Sequence, residues 1–192
     1  MARVYLKKST KTASTGSDDV RKTVLDILNE IELGGDAAAL KYAVEFDGYV
    51  GNLILTNDEI QMACDLVPEK LKQDIQFAHA NVKRFAEAQR GTVTDFETEI
   101  VPGLIAGQKS IPCSAAGCYV PGGRYSHVAS AIMTVTTAKV AGCQHITACS
   151  PPAKDSGIAP AIVYAANLCG ADKILAMGGV QGVASMTFGL FG

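Results

Sequence analysis

Apolar positions recur in two rhythms along the chain, and the change falls near residue 92. Before it the spacing is helical. Ser17, followed by Asp18 and Asp19, reads as an N-cap with acidic residues in the first turn. Val20, Val24, Ile27, Leu28 and Ile31 then fall on one face, and Gly34-Gly35 ends that helix. A second short helix is expected from Asp36 to about Phe46, and a third from Asn57, taken as the cap of "DEIQMACDLV". The fourth carries the plainest stripe: Leu71, Ile75, Ala78, Val82 and Phe85 repeat at 4-3-4-3 spacing between Pro68 and Gly91. His79 lies just off that stripe and is expected to be a partly exposed helical histidine.

After residue 92 the period is that of strands. "TVTDFETEIVPGLIAGQKSIP" holds two β-like runs around Pro102-Gly103, which predicts a hairpin connecting two halves. From 115 onward short apolar runs alternate with helical ones. "AGCYV", "HITACS" and "KILAM" read as strands, and the segments after each as helices. This order predicts an α/β fold in which a parallel sheet is covered by helices on both faces. The expected organisation is a helical region over 1–91, a hairpin connector over 92–114, and an incomplete Rossmann-like sheet domain over 115–192.

Composition narrows the function classes. Hydrophobic residues make up 48% and charged residues 19%, a globular balance, and a net charge of -2 leaves no surplus of cations for nucleic acid or an acidic membrane. No apolar run is long enough to span a bilayer, and the N-terminus has charge without the apolar core of a signal peptide, so a cytoplasmic protein is expected. The six cysteines include no C-x-x-C pair and are expected to be reduced and mostly buried.

In a parallel sheet, ligands bind beyond the carboxyl ends of the strands, where helix N-termini present free N–H groups. Three loops should meet there: "PGGRYS", "SPPAKDSG" and "GGVQG". Gly122, Gly123, Gly178 and Gly179 would let a ligand approach the backbone, although glycine pairs also serve turns into helices with no ligand present. The dinucleotide fingerprint is missing: no G-x-G-x-x-G follows the first strand, and "CSPP" stands where the second should end in an acid. Arg124 reads equally as an anion contact or a solvated loop residue. Tyr119 and Tyr125 read as covers for a nucleoside or as rim packing, His127 as a substrate contact or an N-terminal-turn histidine, and His145 as a surface residue. Three dispersed histidines give no metal cluster, and no Ser-His-Asp or Cys-His pattern is visible in the linear sequence.

Taken together and in order, "GCYVPGGR", "TAKVAGC", "ACSPP" and "AANLCGADKILAMGGVQGVASMTFG" resemble the histidinol dehydrogenase family, mainly over residues 113–189. "LGGDAAALKYAVEFDG" looks like the start of the same family. The resemblance implies a zinc- and NAD-dependent homodimer that oxidises an alcohol through an aldehyde to a carboxylate. It implies NAD contacts at Tyr119 and Gln181, with Gly122 and Gly123 in the same cofactor corner. The stretch "RYSHVASAIMTVTTAKVAG" looks more like the branch acting on sulfopropanediol than like the histidinol enzymes.

Family members are more than twice this long. Their "GPGN" segment, zinc ligands and Glu-His acid-base pair lie past the point matching residue 189. The resemblance therefore implies an N-terminal fragment without catalytic or metal-ligating residues, inactive alone. The alternative is a non-catalytic remnant that binds a nucleotide or pairs with another subunit.

Overall fold

The computed structural model describes residues 18–122 and 125–192. The cap expected at Ser17 lies outside them, as do Gly123 and Arg124. Helix α1 spans Asp18–Tyr42 and bends at Gly35, whose φ of 58° and ψ of -143° no helix accommodates. The two helices expected on either side of Gly34-Gly35 therefore run on through a kink. A π-helical turn, Ala43–Asp47, follows and closes on Gly48 at φ 63°.

Helix α2, Asn57–Asp65, starts one residue away from the expected cap. Thr56 is the cap: its hydroxyl accepts from the Glu59 N–H, and the Glu59 carboxylate accepts from the Thr56 N–H at 2.8 Å. This reciprocal pair satisfies two donors at once, which Asn57 inside the first turn does not do. Helix α3, Glu69–Arg90, buries Ile75 and Ala86 but leaves Leu71 and Phe85 exposed, at 38% and 66%. Its contact face is shifted from the sequence stripe at the far end, where Ala86 rather than Phe85 is buried. Strands β1 (Phe96–Val101) and β2 (Leu104–Gln108) form the expected antiparallel hairpin, with every residue exposed.

The rest alternates as expected: β3 (Ala115–Tyr119), α4 (Val128–Ala141), β4 (His145–Ser150), α5 (Pro160–Cys169), β5 (Lys173–Ala176) and α6 (Gly179–Phe188). The three strands are parallel in the order β3-β4-β5, so their carboxyl ends share one rim. Alternation along each strand separates two cores. Cys118, Val120, Ile146, Ala148, Ile174 and Ala176 point into the layer with α4 and α5. Cys149, Leu175 and Met177 point the other way, with Tyr119 partly buried beside them, toward α1 and α6. The architecture is thus mixed α/β with a parallel sheet covered on both faces. α2 and α3 add a second layer outside α5 and α4.

The N-terminal half also extends the sheet. The Leu55 N–H donates to the Ile174 carbonyl at 3.0 Å, and the Ala176 N–H donates to that of Leu53 at 2.7 Å, covering the outer edge of β5. Among the described residues no helix is long and apolar enough to cross a membrane.

Candidate functional site

The rim is assembled around Pro151, which directly follows β4. A Cβ on Gly122 would stand 2.8 Å from the Pro151 ring, and one on Gly178 would stand 2.7 Å from Pro151 Cβ. Both glycine loops therefore close onto the same proline. Packing alone explains why neither position carries a side chain, and only Gly179, at φ 54°, needs glycine for its backbone as well.

Three polar groups meet above this packing. The Gly179 N–H donates to the Tyr119 hydroxyl oxygen at 3.2 Å, joining the ends of β3 and β5. Gln181 sits in the first turn of α6 at 1% exposure, and its Nε2 donates to Asp47 Oδ2 at 3.2 Å. The same Oδ2 accepts the Gly178 N–H at 2.9 Å. Asp47 thus brings a carboxylate from the N-terminal half to the end of α6, where the helix dipole and free N–H groups favour negative charge.

Two buried oxygens at this rim have no partner among the described residues, Ser150 Oγ at the end of β4 and Gln181 Oε1. Leaving such groups unpaired carries a desolvation cost of about 1–3 kcal/mol each, so they mark a place where structure yields to another requirement. Below them, burial pushes the Cys149 thiol up to about 12, with the Asp47 carboxylate adding to the effect. Cys149 instead donates its proton to the Met177 carbonyl at 3.0 Å and is no nucleophile.

Of the four residues expected in a cofactor corner, Tyr119 and Gln181 are joined through the start of α6, and Gly122 packs beside them. Gly123 lies outside the described residues. Tyr125 and His127 are exposed, and His145 is exposed at the opposite end of the sheet. Asp47 was not singled out, and nothing local marks it, since its partners are 131 and 134 positions away in the chain.

The structure also joins a Cys-His pair that is invisible in the linear sequence. His79 Nδ1 lies 3.0 Å from Thr136 Oγ1 and 3.2 Å from Cys169 Sγ, in a cleft between α3, α4 and α5. Burial lowers the His79 pKa, with Lys83 adding to it, and burial raises that of Cys169. The pair is therefore a neutral imidazole and a thiol, with no thiolate nucleophile. Because the folded protein holds His79 below the usual 6.5, the unfolded chain binds more protons as the pH falls. Stability should be full above that value and decline as the pH falls below it. Denaturation midpoints measured against pH should show this slope, and His79→Gln should remove that part of it; an unchanged slope in the variant would assign it elsewhere.

The profile of the histidinol dehydrogenase family matches residues 10–191. A sulfopropanediol 3-dehydrogenase from Ruegeria pomeroyi is 67% identical over 188 residues, 98% of this chain and 43% of that protein. A histidinol dehydrogenase from Methanosarcina barkeri is 38% identical over 91% of this chain and 40% of its own length. The crystal structure of histidinol dehydrogenase from Elizabethkingia anophelis superposes with a TM-score of 0.84 at 32% identity, covering 92% of this chain and 41% of that one. The chain spans less than half the length of these relatives, and over that span it belongs to the histidinol dehydrogenase family of oxidoreductases.

Proposed function

We infer that this chain supplies the nucleotide-binding part of an NAD-dependent alcohol dehydrogenase acting in the cytoplasm. Its preferred substrate is a small alcohol of the sulfopropanediol type, oxidised through an aldehyde to a carboxylate. The observation that carries the nucleotide reading is Gln181: its amide is buried at the start of a helix with Oε1 unpaired, in the turn whose Gly179 N–H donates to the Tyr119 hydroxyl. The substrate preference rests on the relative named for sulfopropanediol, far more similar than those named for histidinol.

The residues present fit a nucleotide. Tyr119 and Gln181 would hold its polar atoms at the rim that Gly122 and Gly178 close against Pro151. NAD, when bound, accepts the hydride removed from the alcohol carbon. The chain's own part is to bind and orient the coenzyme. Tyr119 fixes the α6 turn through Gly179, and its own hydroxyl proton remains available to a ligand oxygen. Zinc does not fit the residues at hand. Among those described, no three His, Cys, Asp or Glu side chains converge, and no step is assigned to a metal. On the same reading the proton-removing group is supplied by sequence other than residues 1–192. Homodimerisation belongs to the same reading, with the exposed hairpin residues Phe96, Ile100, Leu104 and Ile105 as the surface it would use.

Extending this chain with the remaining sequence of the Ruegeria pomeroyi relative provides the test. The extended protein should form NADH with sulfopropanediol in preference to histidinol, and the chain by itself should form none. NADH production by the chain alone would overturn the division of labour. A preference for histidinol would overturn the substrate.

A further inference from the structure

We propose that Asp47 determines which end of the coenzyme this corner accepts: its carboxylate fills the α6 N-terminus, so that the corner takes an uncharged ribose diol and refuses a ribose 2′-phosphate. This inference rests on the nucleotide reading above and extends it to the choice between NAD and NADP.

A free helix N-terminus is an anion site, because unpaired N–H groups and the helix dipole both favour negative charge. At α6 that place is taken by the protein itself. Asp47 Oδ2 accepts from the Gly178 N–H at 2.9 Å and from Gln181 Nε2 at 3.2 Å. Among the described residues no Lys or Arg is ion-paired with Asp47, so its charge is balanced only by these donors. A phosphate brought here would meet a like charge at the point where it would otherwise be welcomed. α4 follows "PGGRYSH" at the end of β3, and its N-terminal turn carries no acidic residue. A pyrophosphate therefore belongs on the α4 side of the rim, and the α6 side is left for a neutral group.

The remaining valences favour a donor-bearing ligand. Asp47 Oδ1 accepts no hydrogen bond among the described residues, and Gln181, whose Nε2 is bonded to the other carboxylate oxygen, has its Oε1 without a donor. Two acceptors carried by one bonded side-chain pair call for two donors, and adjacent sugar hydroxyls are such a pair. In dinucleotide-binding sheets an acid at the end of the second strand takes the ribose 2′-hydroxyl and excludes a 2′-phosphate. That strand ends here in Ser150-Pro151-Pro152, without an acid. Asp47 supplies the missing carboxylate from another part of the chain, held over the rim by the π-helical turn that ends on it.

The experiment is a calorimetric titration of NAD and of NADP into the wild-type chain, Asp47→Asn and Asp47→Glu. Wild type should bind NAD about tenfold or more tightly than NADP, the effect of one unfavourable charge contact. Asp47→Asn keeps an acceptor for Gly178 but removes the charge. It should bring the two ligands within about threefold, chiefly by gaining affinity for NADP. Asp47→Glu restores the charge and should restore the preference, which a purely structural role would not predict. An NAD preference unchanged in Asp47→Asn, or equal weakening of both ligands, overturns the assignment while leaving the nucleotide site intact. Failure of folded wild type to bind either ligand overturns the nucleotide reading and this inference with it.

Discussion

Gly178→Ala should destabilise the chain by about 1–3 kcal/mol and weaken NAD binding at least about tenfold. The backbone is not the obstacle: at φ -107° and ψ -169° Gly178 is extended, and any residue adopts that conformation. Space is. The new Cβ would lie 2.7 Å from Pro151 Cβ, 2.8 Å from Asp47 Oδ1 and 3.3 Å from Pro151 Cα. Pro151 has a rigid ring and directly follows the central strand, so it yields little. Asp47 is the softer neighbour, and displacing it breaks its bonds to the Gly178 N–H and Gln181 Nε2 together. The overpacking cost and the loss of the site then have one cause. Gly91→Ala is the matched control, with φ -64° and its nearest new contact at 3.4 Å, and it should be close to neutral. Denaturant midpoints and NAD titrations on the two variants decide this; a Gly178→Ala protein that binds NAD normally would show that the rim is not closed as described.

Ile146→Ala should cost more, about 2–5 kcal/mol. Ile146 lies in β4, the central strand, with no exposed surface, inside the core shared with α4 and α5. Neighbouring strands hold its backbone from both sides, so the cavity left by the three lost heavy atoms cannot close by moving the strand. Urea denaturation followed by far-UV circular dichroism measures the loss. A cost well under 1 kcal/mol would mean that α4 and α5 relax into the space, and that this layer is looser than its burial suggests.

The architecture of the second half was legible because its signals are local. Helices α4, α5 and α6 each end on a glycine with positive φ, at Gly142, Gly170 and Gly189, and the runs between are short and apolar. Residue spacing therefore marks the ends of elements as well as their type. The cap of α2 lies one position before the expected one because Thr56 and Asn57 are both good capping residues. Only the Thr56–Glu59 pair distinguishes them, and Glu59 is three residues from Thr56 but two from Asn57. The capping-box spacing was thus present in the sequence.

Other features had no such signal. Leu53–Leu55 joins the edge of β5 through a segment too short to show a period. The glycine pairs suggested backbone approach by a ligand, whereas the structure gives Gly122 and Gly178 a nearer partner in Pro151. Asp47 has no local signal at all. The common arrangement has an acid at the end of the second strand, and here the carboxylate comes from the far half of the chain instead. Contacts over such separations leave no pattern within a window of residues.

A titration of isotopically labelled chain with NAD, followed by nuclear magnetic resonance, tests directly whether the rim at the carboxyl ends of β3, β4 and β5 is the nucleotide site. The Gly178 and Gly179 amides and the Gln181 side-chain amide should shift in proportion to the NAD added, while the cleft of His79, Lys83 and Arg90 stays still. Shifts confined to that cleft, or no shifts at the rim at saturating NAD, would contradict it.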